Sequence, residues 1–333
     1  MKTHGDRGAA LLSALLIVAL VATLVSGLFW REQVRMRFLE NERLKDQAQW
    51  LGVGAVDWAR LILREDLFQT GAVDHLGEVW AVPIARTPLN GVLQGQGAAV
   101  AQDEDAWLAG RIVDATSRFN LTSLVDVSAP GGDGGWVVAN GINTEAVGIF
   151  ARLLQGLGLD PAGAGIVAQY LLTSRPPVSA TADTGLPPLV PQDLLHLLPG
   201  VTPSDMENLS QYLVVLPRPT PVNANTASPL LLAALLGVDA GTANLLVQDR
   251  SQAFFTDYNA LITRLNQRAP RVLAISARNL NVASEYFWVV EQLHLGRVTL
   301  RQQVLVSRRS RQGETTRVLW IRPGWPDGVT LGG

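Results

Sequence analysis

The chain has 333 residues and a formal net charge of −2; 47% of its residues are hydrophobic and only 17% are charged. This composition argues against a disordered protein, and the near-zero charge argues against capture of nucleic acid by the chain as a whole. Because cysteine is absent, disulfides, a thiol nucleophile, thiolate zinc sites and iron–sulfur clusters are excluded.

The N-terminal region predicts a membrane anchor. Residues from Ala9 to Trp30 carry no charge, and as an α-helix they would span about 33 Å, which is enough to cross the hydrocarbon core of a bilayer. Lys2 and Arg7 precede this stretch. The positive-inside rule therefore places the N-terminus in the cytoplasm and the rest of the chain beyond the membrane.

The residues that follow extend the same helix. Apolar side chains recur at helical spacing as far as Ile62, and no Pro occurs between Ala9 and Leu67. The sequence therefore predicts one continuous helix that crosses the membrane and goes on as an amphipathic helix beyond it.

Strand patterns stand on both sides of a central block. We predict an antiparallel sheet packed on the long helix, with the second strand continuing through Ser117–Leu124. The segments rich in Val, Thr and aromatic residues are Glu78–Ile84, Leu108–Ala115, Tyr286–Leu295, Val298–Val306 and Thr316–Ile321.

The central block predicts short helices. Capping residues precede Pro at Asp160-Pro161, Thr202-Pro203 and Ser228-Pro229, and Gly237 provides a stop signal. We predict an α+β fold with an inserted α-helical domain that contains helix–hairpin–helix-like units. The predicted division is 1–8 (leader), 9–30 (membrane helix), 31–124 (first part of the α+β domain), 125–269 (insert) and 270–333 (second part, with β-strands).

Two polar motifs carry the candidate site residues. They are SRFNLTSL, with Phe119, Asn120 and Leu121, and PVNANTAS, with Asn223, Asn225, Thr226 and Ala227. Amide and hydroxyl groups can stabilise an oxyanion, but no general base or nucleophile is visible near them. Such residues before a helix more often cap it or close a turn, so we predict a structural role.

The leader resembles a type IV prepilin or pseudopilin signal, because the short basic segment KTHGDRG ends in Gly8 directly before the uncharged stretch. The resemblance implies cleavage by a prepilin peptidase between Gly8 and Ala9, followed by N-methylation of Ala9. The usual first residue is Phe or Met, so Ala9 is a departure. Most pilins carry Glu at the fifth mature position, where this chain has Ser13. A neutral residue there suits a filament tip, since no subunit ahead supplies an amine to pair with a carboxylate.

The order of leader, FNL, NxNTA and SEYF resembles the minor pseudopilin K family of type II secretion over nearly the whole chain. This resemblance implies a pseudopilin fold and a place at the pseudopilus tip, where the protein initiates and caps the filament that drives export across the outer membrane. It implies no enzymatic activity. The implied location is the bacterial inner membrane, with a single pass and a periplasmic main body. The implied partners are minor pseudopilins I, J and H, the major pseudopilin, the inner-membrane secretion platform and the prepilin peptidase.

Members of that family usually bind calcium through Asp-rich segments of the helical domain. The comparable stretch here, Ala168–Gly185, keeps Tyr170 but has a single carboxylate, Asp183, whereas calcium usually needs several oxygen ligands. The four histidines show no metal-ligand spacing either. We therefore do not assign the calcium site of that family to this chain, and we predict no metal and no other cofactor.

The sequence speaks against two other classes of function. A membrane-anchored protein that binds DNA through helix–hairpin–helix units is the alternative, but residues 125–269 contain eleven Asp and Glu against six Arg and no Lys, which is the wrong sign for phosphate. A periplasmic hydrolase lacks a visible nucleophile–base pair. We therefore predict no nucleic-acid partner.

Overall fold

The computed structural model describes residues 5–71, 73–89, 106–127, 138–174, 191–268, 275–309, 316–326 and 328–329.

The first helix is continuous, as predicted. Helix α1 runs from Gly5 to Gln69, and every residue between Leu11 and Trp30 is exposed. The helix is long and apolar enough to cross a membrane. Further along, Val56, Ala59 and Leu63 are buried, so the second half of the helix packs one face against the protein.

The principal sheet has five strands: β1 (Ile84–Pro88), β2 (Ala106–Asp114), β9 (Tyr286–Leu295), β10 (Val298–Arg308) and β11 (Thr316–Pro323). They are hydrogen-bonded in the order β1-β2-β9-β10-β11. Strands β10 and β11 pair antiparallel, with Gln302 opposite Pro323 and a register shift after Leu305. The predicted antiparallel sheet is confirmed.

The predicted strand at Glu78–Ile84 is wrong. Val79–Ala81 form a 3-10 turn, and β1 begins only at Ile84. The Glu78 carboxylate accepts hydrogen bonds from the His75 backbone N–H at 2.9 Å and from Trp80 Nε1 at 2.6 Å, which holds the chain in a turn.

The second predicted strand ends at Asp114 and does not continue through Ser117–Leu124. Two 3-10 turns, Ala115–Ser117 and Leu121–Leu124, flank the two-residue strand β3, Phe119–Asn120. Asp114 and Asn120 each accept the backbone N–H two residues further on, and these side-chain bonds replace the ladder of a regular strand.

The middle of the chain is mainly helical. The helices are α2 (Thr144–Gly156), α3 (Gly163–Ser174), α4 (Pro191–Leu195), α5 (Pro203–Ser210), α6 (Pro229–Leu236), α7 (Ala240–Gln252) and α8 (Tyr258–Arg268). The short strands are β4 (Val125–Val127), β5 (Val138–Ile142), β6 (Leu213–Val214), β7 (Val222–Asn223) and β8 (Leu280–Asn281), paired β3–β6, β4–β5 and β7–β8.

Helix boundaries follow the predicted signals at several places. Thr202 forms a capping box with Asp205, Ser228 caps α6, and Gly237 ends α6 with a positive φ of 65°. Helix α3 begins at Gly163, later than Asp160-Pro161 suggests, because Asp160 accepts the Ala162 N–H in a turn first.

The chain divides into two compact units. The smaller comprises Met1–Val53, Pro88–Trp107 and Leu293–Leu300, and the larger comprises Gly54–Thr87, Leu108–Gln292 and Arg301–Gly333. The predicted domain boundaries, including the insert at 125–269, stay a prediction.

Both faces of the sheet are covered within the larger unit. On β9, Phe287 and Val289 pack in one core with α1 residues such as Leu63, while Tyr286 and Trp288 belong to a second core on the opposite face. A third and larger core joins the helices. The sheet is therefore buried on both sides where these cores lie.

Candidate functional site

Asp114, at the end of β2, is the centre of a buried polar network in the larger unit. One carboxylate oxygen, Oδ2, accepts hydrogen bonds from Ser284 Oγ at 2.6 Å, Thr226 Oγ1 at 2.5 Å and Asn223 Nδ2 at 3.2 Å. The other oxygen accepts the backbone N–H and hydroxyl of Thr116. The network joins β2 to residues more than 100 positions away, so it fixes the long-range topology.

Asn223 connects this carboxylate to the chain that follows α1. Its amide nitrogen also donates to the Asp74 backbone oxygen at 3.0 Å and to Ser284 Oγ at 2.7 Å, and its oxygen accepts the Asn225 backbone N–H at 2.8 Å. The residue is fully buried. Each of these groups would lose a partner if the amide were removed, and an unsatisfied buried polar group costs about 1–3 kcal/mol.

The remaining residues of this motif hold the helices that follow. Asn225 Nδ2 donates to the Phe255 backbone oxygen at 3.0 Å, and its Oδ1 accepts the Phe255 N–H at 2.9 Å. These two hydrogen bonds connect segments that are 30 positions apart in the chain. Ala227 is fully buried, and its N–H donates to the backbone oxygen of Asn223 at 2.9 Å, closing the turn before α6.

The motif SRFNLTSL also connects distant segments of the chain through buried contacts. Asn120 Oδ1 accepts the N–H of Thr122 and that of Leu216, while its Nδ2 donates to the Arg218 backbone oxygen at 2.7 Å. Phe119 stacks on Phe150 with ring centroids 5.8 Å apart. Leu121 is fully buried in the core that joins the helices. Both motifs therefore tie separate segments together through buried amides.

Arg308, at the end of β10, supplies the positive charge beside this network. Its guanidinium pairs with Asp66 at 2.7 Å and with Asp74, and it also lies over the ring of Phe287. Burial raises the pKa of both carboxyl groups, and the positive charge of Arg308 opposes that rise. All three charged side chains are at least 95% buried.

Asp66, Asp74 and Glu78 bring carboxylate oxygens within 4.8 Å of one another, a spacing that a metal ion could bridge. Arg308 already supplies a cation to two of these three groups. We therefore describe the cluster as an ion-pair site, and the absence of a metal stays a prediction. The predicted loss of the family calcium ligands concerns Ala168–Gly185, of which residues beyond 174 lie outside the described part of the chain.

The signal residues lie in the first turns of α1. Gly8 and Ala9 are helical, and Ser13 is exposed on the apolar part of the helix. These three residues are far in sequence from the polar network. Leader cleavage, methylation and the tip-specific role of Ser13 stay predictions.

Sequence reasoning selected Asn223 and Thr226 but missed Asp114, Asp74 and Arg308. Their partners are far apart in the chain, Asp74 and Arg308 by 234 positions, so no local spacing reveals them. The sequence did contain one indication of Ser284, because it is the first residue of the motif SEYF. A buried Asp directly after a strand of apolar residues was the other available sign, because an ionised carboxylate is almost never buried unless it is paired.

Comparisons with known proteins place these observations beside a family. No protein-family model matches the chain. The chain is 31% identical over 326 residues to the type II secretion system protein K of Pseudomonas aeruginosa, covering 92% of this chain and 90% of the relative. It is 28% identical to the protein of the same name from Klebsiella pneumoniae, covering 96% and 97%.

A solved structure has a similar fold. It is a chain of the GspK-GspI-GspJ complex from the type 2 secretion system of enterotoxigenic Escherichia coli, with a TM-score of 0.59 and 19% identity. The match covers 86% of this chain and 99% of that one. At this identity the likeness concerns the fold.

Proposed function

The chain belongs to the type II secretion system protein K family, and from that premise we propose that it acts at the tip of the pseudopilus, where it initiates and caps the filament that drives protein export across the outer membrane. The observation that carries the proposal is the 31% identity over 326 residues, which spans nearly the full length of both chains. The predicted family and the predicted α+β pseudopilin fold are both confirmed.

The proposed work is assembly and not catalysis. The buried amides of the two motifs bond to backbone groups and to Asp114, which is what a structural component requires. Minor pseudopilins I and J are the first proposed partners, since the solved neighbour is a complex of proteins with those names. We extend the proposal to minor pseudopilin H, the major pseudopilin and the inner-membrane platform on the family resemblance.

We propose that α1 anchors the chain in the bacterial inner membrane with its N-terminus in the cytoplasm and its main body in the periplasm. The exposed apolar stretch from Leu11 to Trp30 supports a membrane span, and Lys2 and Arg7 support the orientation. Ser13 supports the tip position, because Glu in its place would be a buried charge with no amine ahead to pair with.

The partner proposal has a direct test. The full chain, tagged at its C-terminus, is coexpressed with minor pseudopilins I and J of the same bacterium and purified in mild detergent. We expect both to copurify in a stable complex, and a salt-dependent gel shift with duplex DNA to show no specific binding. A tight DNA complex without pseudopilin binding would favour the DNA-binding alternative, which no comparison supports.

Leader processing is the next expected result. Coexpression with a prepilin peptidase should shorten the chain by the eight residues up to Gly8 and add one methyl group to Ala9, both visible in the intact mass. A Gly8→Val change should block cleavage, because a bulky residue replaces the small one before the cut. A Gly5→Val change is the matched control and should leave the mass shift in place. Cleavage of the Gly8 variant would contradict the proposed site.

A further inference from the structure

An apolar groove lies beside α1 within the larger unit. The helix forms one wall, the segment from Val79 to Ile84 forms the other, and strands β2 and β9 form the floor. The groove encloses about 210 Å³. Its rim is exposed: Trp58 is 50%, Val79 is 74% and Val82 is 64% accessible. Large apolar side chains exposed together around a hollow are typical of an interaction site.

Glu291 is the unusual residue of this groove. On β9 it lies on the same face of the sheet as Phe287 and Val289, which pack against α1, and it is only 1% exposed. Its Oε1 accepts a hydrogen bond from Gln302, but its Oε2 is buried and has no hydrogen-bond partner among the described residues. Burial raises the pKa of this carboxyl to about 7.

No cation of the described chain neutralises Glu291. Among the described residues, Glu291 takes part in no ion pair. A buried carboxylate is costly unless a charged partner and hydrogen bonds compensate it. The Oε2 atom of Glu291 therefore has neither a hydrogen-bond donor nor a cation among the described residues.

Gly110 on β2 lines the floor next to Glu291, at a point where strands β2 and β9 pack closely. A Cβ at that position would lie 3.2 Å from the Val290 oxygen and 3.8 Å from the Glu291 Cβ. On the helical wall, Ala55 is half-buried and lies one turn before the exposed Trp58. A small side chain beside a large one leaves a hollow into which a ridge of a second helix can pack.

The dimensions define the occupant. A space of about 210 Å³ is too small for a folded element, yet it exceeds a cavity of about 150 Å³, which holds a benzene-sized group. We propose that the groove binds a helix of a neighbouring minor pseudopilin, which inserts one large apolar side chain and brings a Lys or Arg side chain to Glu291. This inference rests on the proposed function and specifies where one partner docks and by what chemistry.

The absence of cysteine permits a specific crosslinking test. A full chain with the single change Val82→Cys is labelled with a maleimide benzophenone in detergent, in complex with minor pseudopilins I and J of the same bacterium. We expect photolysis to give one principal crosslink, to I or J. The matched control is Ile321→Cys, an exposed β-branched residue on β11 at the opposite edge of the sheet. It should crosslink at least fivefold less.

Glu291→Gln tests the charge. Gln keeps the shape and the contact with Gln302 but cannot pair with a cation, so the crosslink yield from Val82→Cys should fall at least fivefold. The thermal midpoint of the free chain should stay equal or rise, because a buried charge has been removed, and this excludes unfolding as the cause. The crosslinked peptide, produced with a protease that cuts after Glu, should contain Lys or Arg within one helical turn of the labelled residue.

The outcomes separate the two proposals. If I and J do not copurify with the chain, the proposed function fails, and the inference that rests on it fails too. If they copurify but the two cysteine positions crosslink equally, or Glu291→Gln has no effect, the groove proposal alone is overturned. A principal crosslink to a second copy of this chain or to detergent would overturn it in the same way.

Discussion

Replacing Arg308 with Met should lower the free energy of unfolding by about 3–5 kcal/mol at pH 8. The change keeps most of the apolar length of the side chain but leaves the carboxylates of Asp66 and Asp74 buried without their cation. Breaking a buried ion pair from one side is costly, because the remaining charges have neither water nor a partner. Urea unfolding of the full chain in detergent, followed by tryptophan fluorescence, should show a lower midpoint with an unchanged slope.

The loss of stability caused by Arg308→Met should increase as the pH rises. Burial raises the pKa of Asp66 and Asp74, and Arg308 counteracts part of that rise, so removing Arg308 raises both pKa values further. A folded-state pKa above the unfolded value means that stability is present at low pH and is lost as the pH rises through the interval between the two values. The variant should therefore be closest to the unmodified chain near pH 5 and furthest from it at pH 8.

Arg309→Met is the matched control. Arg309 is the next residue, but its side chain is one-third exposed and its partner Glu285 also pairs with Arg218. An ion pair of this kind contributes at most about 1 kcal/mol, so its loss should move the midpoint little. Equal unfolding midpoints for the two variants would show that Arg308 does not hold the buried carboxylates in the way the contacts indicate.

The elements that the sequence predicts well are those with a long, uniform pattern. Helix α1 has no Pro and a steady apolar stripe, and strands such as β9 and β10 have the composition of strands over ten or eleven residues. Helix starts at Thr202 and Ser228 were equally visible, because a capping residue before Pro is a local signal.

The errors occur where a side chain competes with the backbone. The segment after Asp114 has strand-like residues, but Asp114 and Asn120 accept nearby N–H groups and turn the chain into 3-10 helix. Glu78 does the same ahead of β1 through the His75 N–H. Composition alone cannot show this, because the same side chains could have faced solvent.

Only the motif residues of the polar network were predictable from the sequence, and their partners were not. The Asn and Thr residues of PVNANTAS stood out as a motif with a structural role, yet their partners at Asp114 and Asp74 lie 109 and 149 positions away. Local sequence does not specify which distant segment completes a buried hydrogen-bond network. That information appears only when the fold has brought the chain after α1, the end of β2 and β7 together.

Asn223→Asp should be about as damaging as the loss of Arg308, with an expected cost of about 3–5 kcal/mol at pH 8. The two side chains have the same shape, so packing is unchanged and the effect isolates the amide. A carboxylate cannot donate to the Asp74 oxygen or to Ser284 Oγ, and it would stand about 3.2 Å from the carboxylate of Asp114, as the amide nitrogen does now. Two buried like charges at that distance cannot both persist.

A shared proton should rescue part of this loss. At pH 5 one of the two carboxyl groups can protonate and donate to the other, as paired acids do, so the variant should recover stability as the pH falls. Asn259→Asp makes the same chemical change at an exposed position of α8 and should stay within about 0.5 kcal/mol of the unmodified chain at both pH values. Secretion by cells that carry Asn223→Asp should fall with the amount of folded protein. If the variant were as stable as the control while secretion was lost, the motif would act in assembly directly and its assignment to the buried network would be wrong.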